Sequence, residues 1–106
     1  MVSIDQFSEI EIQVGFVVEA ENVEKSEKLI RLKVSFGDFE RIIFTGVRGY
    51  GYTAEDFADK KFLFVTNLEY KKIMGEESQG MILAVDAEEK PLFVSAEGLP
   101  VGSKVR

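Results

Sequence analysis

The sequence contains no cysteine and no histidine, and among its 106 residues there are only two prolines and no tryptophan. Without cysteine the chain can form neither a disulfide nor a thiolate zinc site, and it has no thiol nucleophile. Without histidine it lacks the commonest metal ligand and the side chain most often used as a general base. Catalysis would fall to carboxylates or lysines, which form no recognisable pairing, so we expect no catalytic residue, no metal and no cofactor.

Long apolar runs are also missing. No window approaches the roughly 18 apolar residues that a membrane-spanning helix needs. The N-terminal residues Met-Val-Ser-Ile-Asp show no basic region leading into an apolar run, so we expect no secretory signal. The lack of cysteine fits a cytoplasmic protein. With 45% hydrophobic and 30% charged residues and no low-complexity linker, residues 1–106 are expected to form a single domain.

Positive charge is scarce, with 13 Lys+Arg against 19 Asp+Glu and a net charge of −6, which argues against a nucleic-acid partner. The distribution of charge changes this argument. Residues 1–27 carry seven acids and one base, residues 28–72 carry nine bases and six acids, and residues 73–106 carry six acids and three bases. The middle of the chain is therefore basic, and the local field decides whether a polyanion is attracted. Alternatively, mixed surface charge simply keeps a small domain soluble.

Alternation of apolar and polar residues, typical of half-buried strands, recurs along the chain. It predicts strands over residues 9–20, 29–36 and 40–47, and two largely apolar segments predict a fourth and a fifth strand over residues 61–69 and 80–86. Gly15 interrupts the first strand and is expected to mark a bulge or a sharp bend. Gly37-Asp38 suits a hairpin turn, and Thr53 is a good N-cap for a short helix. Residues 70–79 are interpreted as a polar loop.

This order of strands and helix is that of the five-stranded Greek-key barrel called the OB-fold. An SH3-like barrel or a β-sandwich is the alternative, but the single helix between the third and fourth strands favours the OB-fold. The expected class is therefore all-β with one short helix and a C-terminal extension. The last two strands are apolar on both faces, which predicts a further buried surface against the C-terminal segment or against a second subunit.

OB-folds bind ligands on the surface of strands 2 and 3, between the loops that join strands 1–2 and strands 4–5. Basic residues of the middle segment collect there: Arg31, Lys33, Arg41, Lys71 and Lys72. Such cations would neutralise phosphates, while Tyr70 and Met74 could pack on bases or riboses. Each feature also has a structural interpretation, since strand cations can simply face solvent and a methionine can fill a core.

A family resemblance rests on residues 67–83, Asn-Leu-Glu-Tyr-Lys-Lys-Ile-Met-Gly-Glu-Glu-Ser-Gln-Gly-Met-Ile-Leu. This segment closely resembles the NL-x-x-(R/K)-K-(L/I)-M-G-x-x-S-x-G-M-(I/L)-L signature of the tRNA-binding OB domain. That domain occurs at the C-terminus of many methionyl-tRNA synthetases, in free-standing tRNA-binding proteins and in synthetase-associated cofactors. Ile4-Asp5-Gln6-Phe7, Val14-Gly15, Lys28-Leu29 and the ending Gly102–Arg106 resemble further family elements in the same order, so the resemblance covers nearly the whole chain.

The resemblance implies a non-catalytic homodimer that binds the outer corner of tRNA by shape and aids aminoacylation. It would act free-standing or with the catalytic body of a methionyl-tRNA synthetase as a partner. Carried over residue by residue, the RNA-binding surface would include Lys28, Lys33, Arg41, Asn67, Lys72, Met74, Ser78 and Met81.

The sequence also departs from the family pattern. Gln13 stands where arginine is common, Tyr70 stands where proline is frequent, and the loop at residues 23–27 is unusually acidic. These departures predict weaker binding or a different partner. A related group with this fold serves as a secretion-linked chaperone, so peptide binding or another protein-interaction role is the alternative function.

Overall fold

Nine β-strands and one short α-helix make up the chain, which the computed structural model describes in full from Met1 to Arg106. In chain order they are α1 (Ile4–Ser8), β1 (Ile12–Asn22), β2 (Ile30–Ser35), β3 (Glu40–Thr45), β4 (Lys61–Val65), β5 (Lys71–Ile73), β6 (Glu76–Ser78), β7 (Met81–Ile82), β8 (Ala84–Asp86) and β9 (Pro91–Phe93), with 3₁₀ turns at Arg48–Tyr50 and Ala54–Asp56. No helix here has the length and apolar character needed to cross a membrane.

Strand β1 joins the two halves of the main sheet. Its first half pairs antiparallel with β4 and its second half with β2, giving the five-stranded order β3-β2-β1-β4-β7. The open side between β3 and β7 is narrowed by Gln79, whose backbone N–H donates to the Ile42 carbonyl at 2.7 Å. The Gln79 side chain in turn accepts from the Ile42 N–H at 2.8 Å. The strands thus form a nearly closed barrel, and the predicted fold class is confirmed.

The alternation predicted for β2 is confirmed. Ile30, Leu32 and Val34 are fully buried, whereas Arg31 and Lys33 between them lie on the outer face. Successive side chains of a strand point to opposite sides, so this strand separates the barrel core from the outer surface. Each fully buried aliphatic side chain contributes about 1.5–3 kcal/mol to stability.

The alternation predicted for β1 holds only in part. Val14 is buried, but further along the strand Val17 is the fully buried residue and Val18 is not. Val17 lies on the inner face with Gly15, two residues earlier. Beyond Val17 the pairing with β2 shifts register, and an extra residue in one strand moves the following side chains to the other face, so Ala20 packs against the same core as Val17.

Gly15 does not mark the bulge, because the pairing with β4 is regular there. A Cβ atom built on Gly15 would lie 2.5 Å from Val34 Cγ1, 2.7 Å from Phe64 Cδ1 and 2.8 Å from Phe36 Cε1. These distances are well below van der Waals contact. The glycine is therefore required by close packing across the barrel interior.

Residues 70–79 do not form the expected loop but the β5–β6 hairpin. The pairing runs from Lys71 opposite Ser78 to Ile73 opposite Glu76 and closes over Met74 and Gly75. Both turn residues have positive φ, 50° and 85°, which is the requirement of a type I′ turn. Met74 thus has a left-handed backbone conformation, which glycine, asparagine and aspartate adopt more often than methionine does.

The strand predicted over 80–86 is divided, since β7 pairs with β4 whereas β8 pairs with β9 in a separate hairpin. After β9 the chain returns to the barrel, where the Ala96 N–H donates to the Lys61 carbonyl at 3.0 Å. Phe93 packs edge-on against Phe57 and Tyr52. The C-terminal segment therefore covers part of the apolar surface predicted from the last two strands.

Two short helical segments differ from expectation. Helix α1 was not predicted; Ser3 caps it, with its hydroxyl accepting from the Gln6 N–H and the Gln6 side chain accepting from the Ser3 N–H. The helix expected after Thr53 is a single 3₁₀ turn at Ala54–Asp56, and Thr53 caps it reciprocally with Asp56.

Candidate nucleic-acid interface

A cleft lies over the outer face of β2 and β3, between the β1–β2 loop and the β5–β6 hairpin. Its floor is Arg31 and Phe44, one wall is the loop at residues 21–27 with Arg48, and the other wall is Met74 and Glu76 of the hairpin. The structure therefore brings together the two segments that the OB-fold interpretation expected to flank a ligand.

Arg31, which was predicted to bind a phosphate, is already paired with a carboxylate of the same chain. Its Nε and Nη2 donate to the two carboxylate oxygens of Glu76 at 2.7 and 2.8 Å, and its Nη1 lies 3.7 Å from Glu21 Oε1. These paired bonds hold the pKa of Glu76 below its usual value and raise that of Arg31. Arg31 thus ties the hairpin to the barrel.

Arg48, which sequence reasoning did not single out, fixes the other wall of the cleft. Its Nη1 donates to the carbonyls of Ser26 and Val23 at 2.6 and 3.3 Å. A side chain that bonds to backbone carbonyls leaves no pattern in the sequence. The cleft's remaining charges are mostly acidic, since Glu21, Glu24 and Glu27 line it with one free base, Lys25.

Asn67 and Ser78 are both used inside the fold. The Asn67 amide oxygen accepts from the Glu11 N–H at 2.8 Å, and its NH₂ group donates to the Glu9 carbonyl at 2.6 Å. Buried Ser78 accepts from the Phe44 N–H at 3.0 Å. Ser78 orders the β3 backbone at the floor of the cleft, whereas Asn67 orders the backbone just before β1, away from the cleft. Ordering the backbone is the structural alternative to contacting RNA.

Arg41 lies in a second groove, beyond the start of β3. Its Nη1 donates to the carbonyls of Thr66 and Gln79 at 3.2 and 3.3 Å. Its guanidinium carbon lies 4.8 Å from the ring centre of Phe39 and 5.6 Å from that of Tyr70. The predicted residues therefore do not form one cluster: Arg31 and Met74 line the cleft, and Arg41 and Asn67 line this groove.

The remaining predicted side chains are accessible. Lys33 is half-buried, and its Nζ is 3.7 Å from Glu40 Oε1. Met74 and Met81 are exposed. Lys28, Lys71 and Lys72 are exposed and make no ion pair within 4.0 Å. The same is true of Lys25 in the wall of the cleft. These four lysines are the cations on this side of the barrel that are free to meet a polyanion.

Comparison with known proteins shows the family of the chain. A family model described as "Putative tRNA binding domain" matches residues 12–104. The methionine–tRNA ligase of Methanococcus aeolicus is 44% identical over 105 residues, and that of Bacillus subtilis is 40% identical over 106. Both matches cover 99% of this chain but only 16% of the ligase, so the chain spans about a sixth of the length of these relatives.

Solved structures also include a relative of the methionyl-tRNA synthetases. A MetRS-related protein from Pyrococcus horikoshii is 39% identical, with a TM-score of 0.94 and coverage of 100% of this chain and 98% of that one. The CsaA chaperone protein from Picrophilus torridus covers 100% of both chains with a TM-score of 0.87, but at 24% identity it shows a shared fold alone. The chain corresponds to the C-terminal accessory region of the synthetases and not to their catalytic body. It belongs to the tRNA-binding domain family.

Proposed function

We propose that the chain binds tRNA as a non-catalytic module, meeting phosphates with the free lysines of the β1–β2 loop and the β5–β6 hairpin. The observation that carries this proposal is the match of the tRNA-binding family model to nearly the whole chain. Lysines 25, 28, 71 and 72 support it, because they are exposed and none of them forms an ion pair within 4.0 Å.

Recognition by shape follows from the kinds of group available. Free ammonium groups contact phosphates of any sequence, and the cleft presents few unpaired donors that could recognise a base edge. Double-stranded segments of RNA are recognised largely through their shape and backbone. The outer corner of a folded tRNA is the site that the family resemblance implies.

Binding is expected to depend strongly on salt. If the four free lysines each neutralise one phosphate, log affinity should fall with log salt at a slope of about −3 to −4, or about 60- to 250-fold between 50 and 200 mM. Fluorescence anisotropy of labelled unfractionated tRNA measures this directly. Binding that is absent at 50 mM salt, or that does not change with salt, would contradict the proposal.

We also propose that two copies associate through the β8–β9 hairpin. Val85 and Leu92 are cross-strand neighbours there and are 57% and 47% exposed. Val94 and Leu99 in the following segment are exposed as well. Adjacent exposed apolar side chains favour burial against a partner, and a second copy presents the same surface.

Replacing Leu92 with aspartate should convert the dimer to a monomer, because a charge would have to be buried at the centre of the contact. Light scattering at micromolar concentration should give twice the chain mass of 11.9 kDa for the wild type and the single mass for the variant. Val2→Asp, an equal change at an exposed apolar residue outside this hairpin, should leave the dimer intact. A monomeric wild type would disprove the interface.

The partners and location of the whole protein follow as further proposals. We propose that the chain acts in the cytoplasm, on its own or beside the catalytic body of a methionyl-tRNA synthetase, and that it aids aminoacylation by holding tRNA. The chaperone alternative is tested in the same assay. Unfolded peptide that binds where tRNA does not, or that displaces tRNA, would favour the chaperone role.

A further inference from the structure

A column of four planar groups runs from the barrel core to the surface beside the hairpin. The rings of Phe36 and Phe39 stack, with centres 5.2 Å apart and planes inclined by 23°. The guanidinium of Arg41 lies 4.8 Å from the centre of Phe39, and Tyr70 follows at 5.6 Å from Arg41. Two rings, a cation and a third ring thus follow one another, and the column ends at exposed Tyr70.

The column is held rigidly at its inner end. Phe36 is buried and meets Phe64 edge-on, with ring centres 5.6 Å apart. Arg41 is fixed by its two bonds to the carbonyls of Thr66 and Gln79. A ligand that extends this column would meet groups already ordered, so little side-chain entropy would be lost on binding.

Tyr70 contributes little to the fold itself. Its side chain is 46% exposed, and its hydroxyl makes no hydrogen bond within the chain. Tyr52 shows the contrast, because its hydroxyl donates to the Pro91 carbonyl at 2.6 Å and its ring packs against Phe57 and Phe93. A large ring left half in solvent at the end of a fixed column is suited to a planar ligand.

The charges around the column favour a neutral planar group over a phosphate. Glu11, Asp38 and Glu69 line the same groove and outnumber its two cations, Arg41 and Lys104, of which Lys104 is paired with Glu11 at 3.3 Å. The free cations Lys71 and Lys72 come immediately after Tyr70 in the chain. A nucleotide combines a neutral base with a phosphate several ångströms away, and this arrangement offers a place for each.

We propose that Tyr70 is the stacking platform for one unpaired nucleobase of the bound RNA, with Arg41 and Phe39 fixing its ring from behind. This inference rests on the proposed tRNA binding and adds a specific contact to it. Because every base has an aromatic face, the contact selects an unpaired base and not a particular sequence.

The test uses Tyr70→Ala and the anisotropy assay with unfractionated tRNA. Loss of one base stack should weaken binding by about 5- to 100-fold. The slope of log affinity against log salt should stay as in the wild type, since no phosphate contact is removed. Tyr70→Phe keeps the ring and should bind like the wild type. The matched control is Tyr50→Ala, which removes another exposed tyrosine ring that lies outside the column.

Binding of a long, fully paired RNA duplex distinguishes base stacking from a purely structural role of Tyr70, because a structural defect would weaken binding of duplex and tRNA alike. Tyr70→Ala should bind this duplex as well as the wild type does, because the duplex offers no unpaired base along its length. An equal loss on duplex and tRNA, or undiminished binding of tRNA, would overturn the platform while leaving the proposed function intact. If the wild type binds no tRNA, the proposed function fails and the platform with it. If Tyr70→Ala loses only the binding of unfolded peptide, the ring serves a protein ligand, and the proposal of a base-stacking platform is overturned as well.

Discussion

Replacing Phe64 with alanine is expected to lower the free energy of unfolding by about 3–5 kcal/mol. Phe64 is fully buried in β4, where it lies opposite Gln13 of β1 on one side and Ile82 of β7 on the other. Its ring meets Phe36 edge-on and reaches the surface of Gly15, which has no side chain to move into the vacated space. The cavity should therefore stay largely open, which places the cost toward the upper part of this range.

The measurement is urea unfolding followed by far-UV circular dichroism, because the chain has no tryptophan to report by fluorescence. Leu68→Ala, at an exposed position shortly after β4, is the control and should change stability by less than about 0.5 kcal/mol. A loss below about 1 kcal/mol for Phe64→Ala would show that neighbouring side chains fill the space, contrary to the tight packing seen around Gly15.

Reversing the charges of Lys71 and Lys72 together is expected to weaken tRNA binding about 100-fold at low salt. Removal of two phosphate contacts should also reduce the steepness of the salt dependence by about 2. Both side chains are exposed and unpaired, so the double variant should melt at nearly the wild-type temperature.

Lys60→Glu with Arg106→Glu is the matched control for this experiment. It changes net charge by the same amount at two exposed basic residues outside the cleft and outside both hairpins. A control that weakens binding as much as Lys71→Glu/Lys72→Glu would mean that net charge alone governs the interaction. A fall in melting temperature of the hairpin variant would instead show that the two lysines support the fold.

The sequence predicted most reliably those elements whose pattern is local. β2 alternates strictly between buried and outward residues, and the Gly37 turn after it has the positive φ, 94°, expected of a hairpin glycine. The β5–β6 hairpin could not be predicted in this way. Its strands are three residues long and mostly polar, and its turn places Met74 where a glycine or asparagine would have been the usual signal.

Prediction of the site was limited by long-range partners. The lysines could be placed near the cleft because the OB-fold fixes which loops flank it. That Arg31 is engaged by Glu76, 45 residues later, depends on how the hairpin folds over β2. The column ending at Tyr70 likewise joins residues of the β2–β3 turn and the start of β3 with the residue just before β5, and no spacing in the sequence shows that they stack.

The two ends of the chain lie together. The Val105 N–H donates to the Ile12 carbonyl at 2.8 Å, and Ile4 and Phe7 of α1 share a groove with Val105. Polypeptide attached before residue 1 or after residue 106 would therefore emerge from the same patch of the barrel. A module with a single point of attachment can be appended to another protein at either end and be held in a similar orientation, which suits a portable accessory domain.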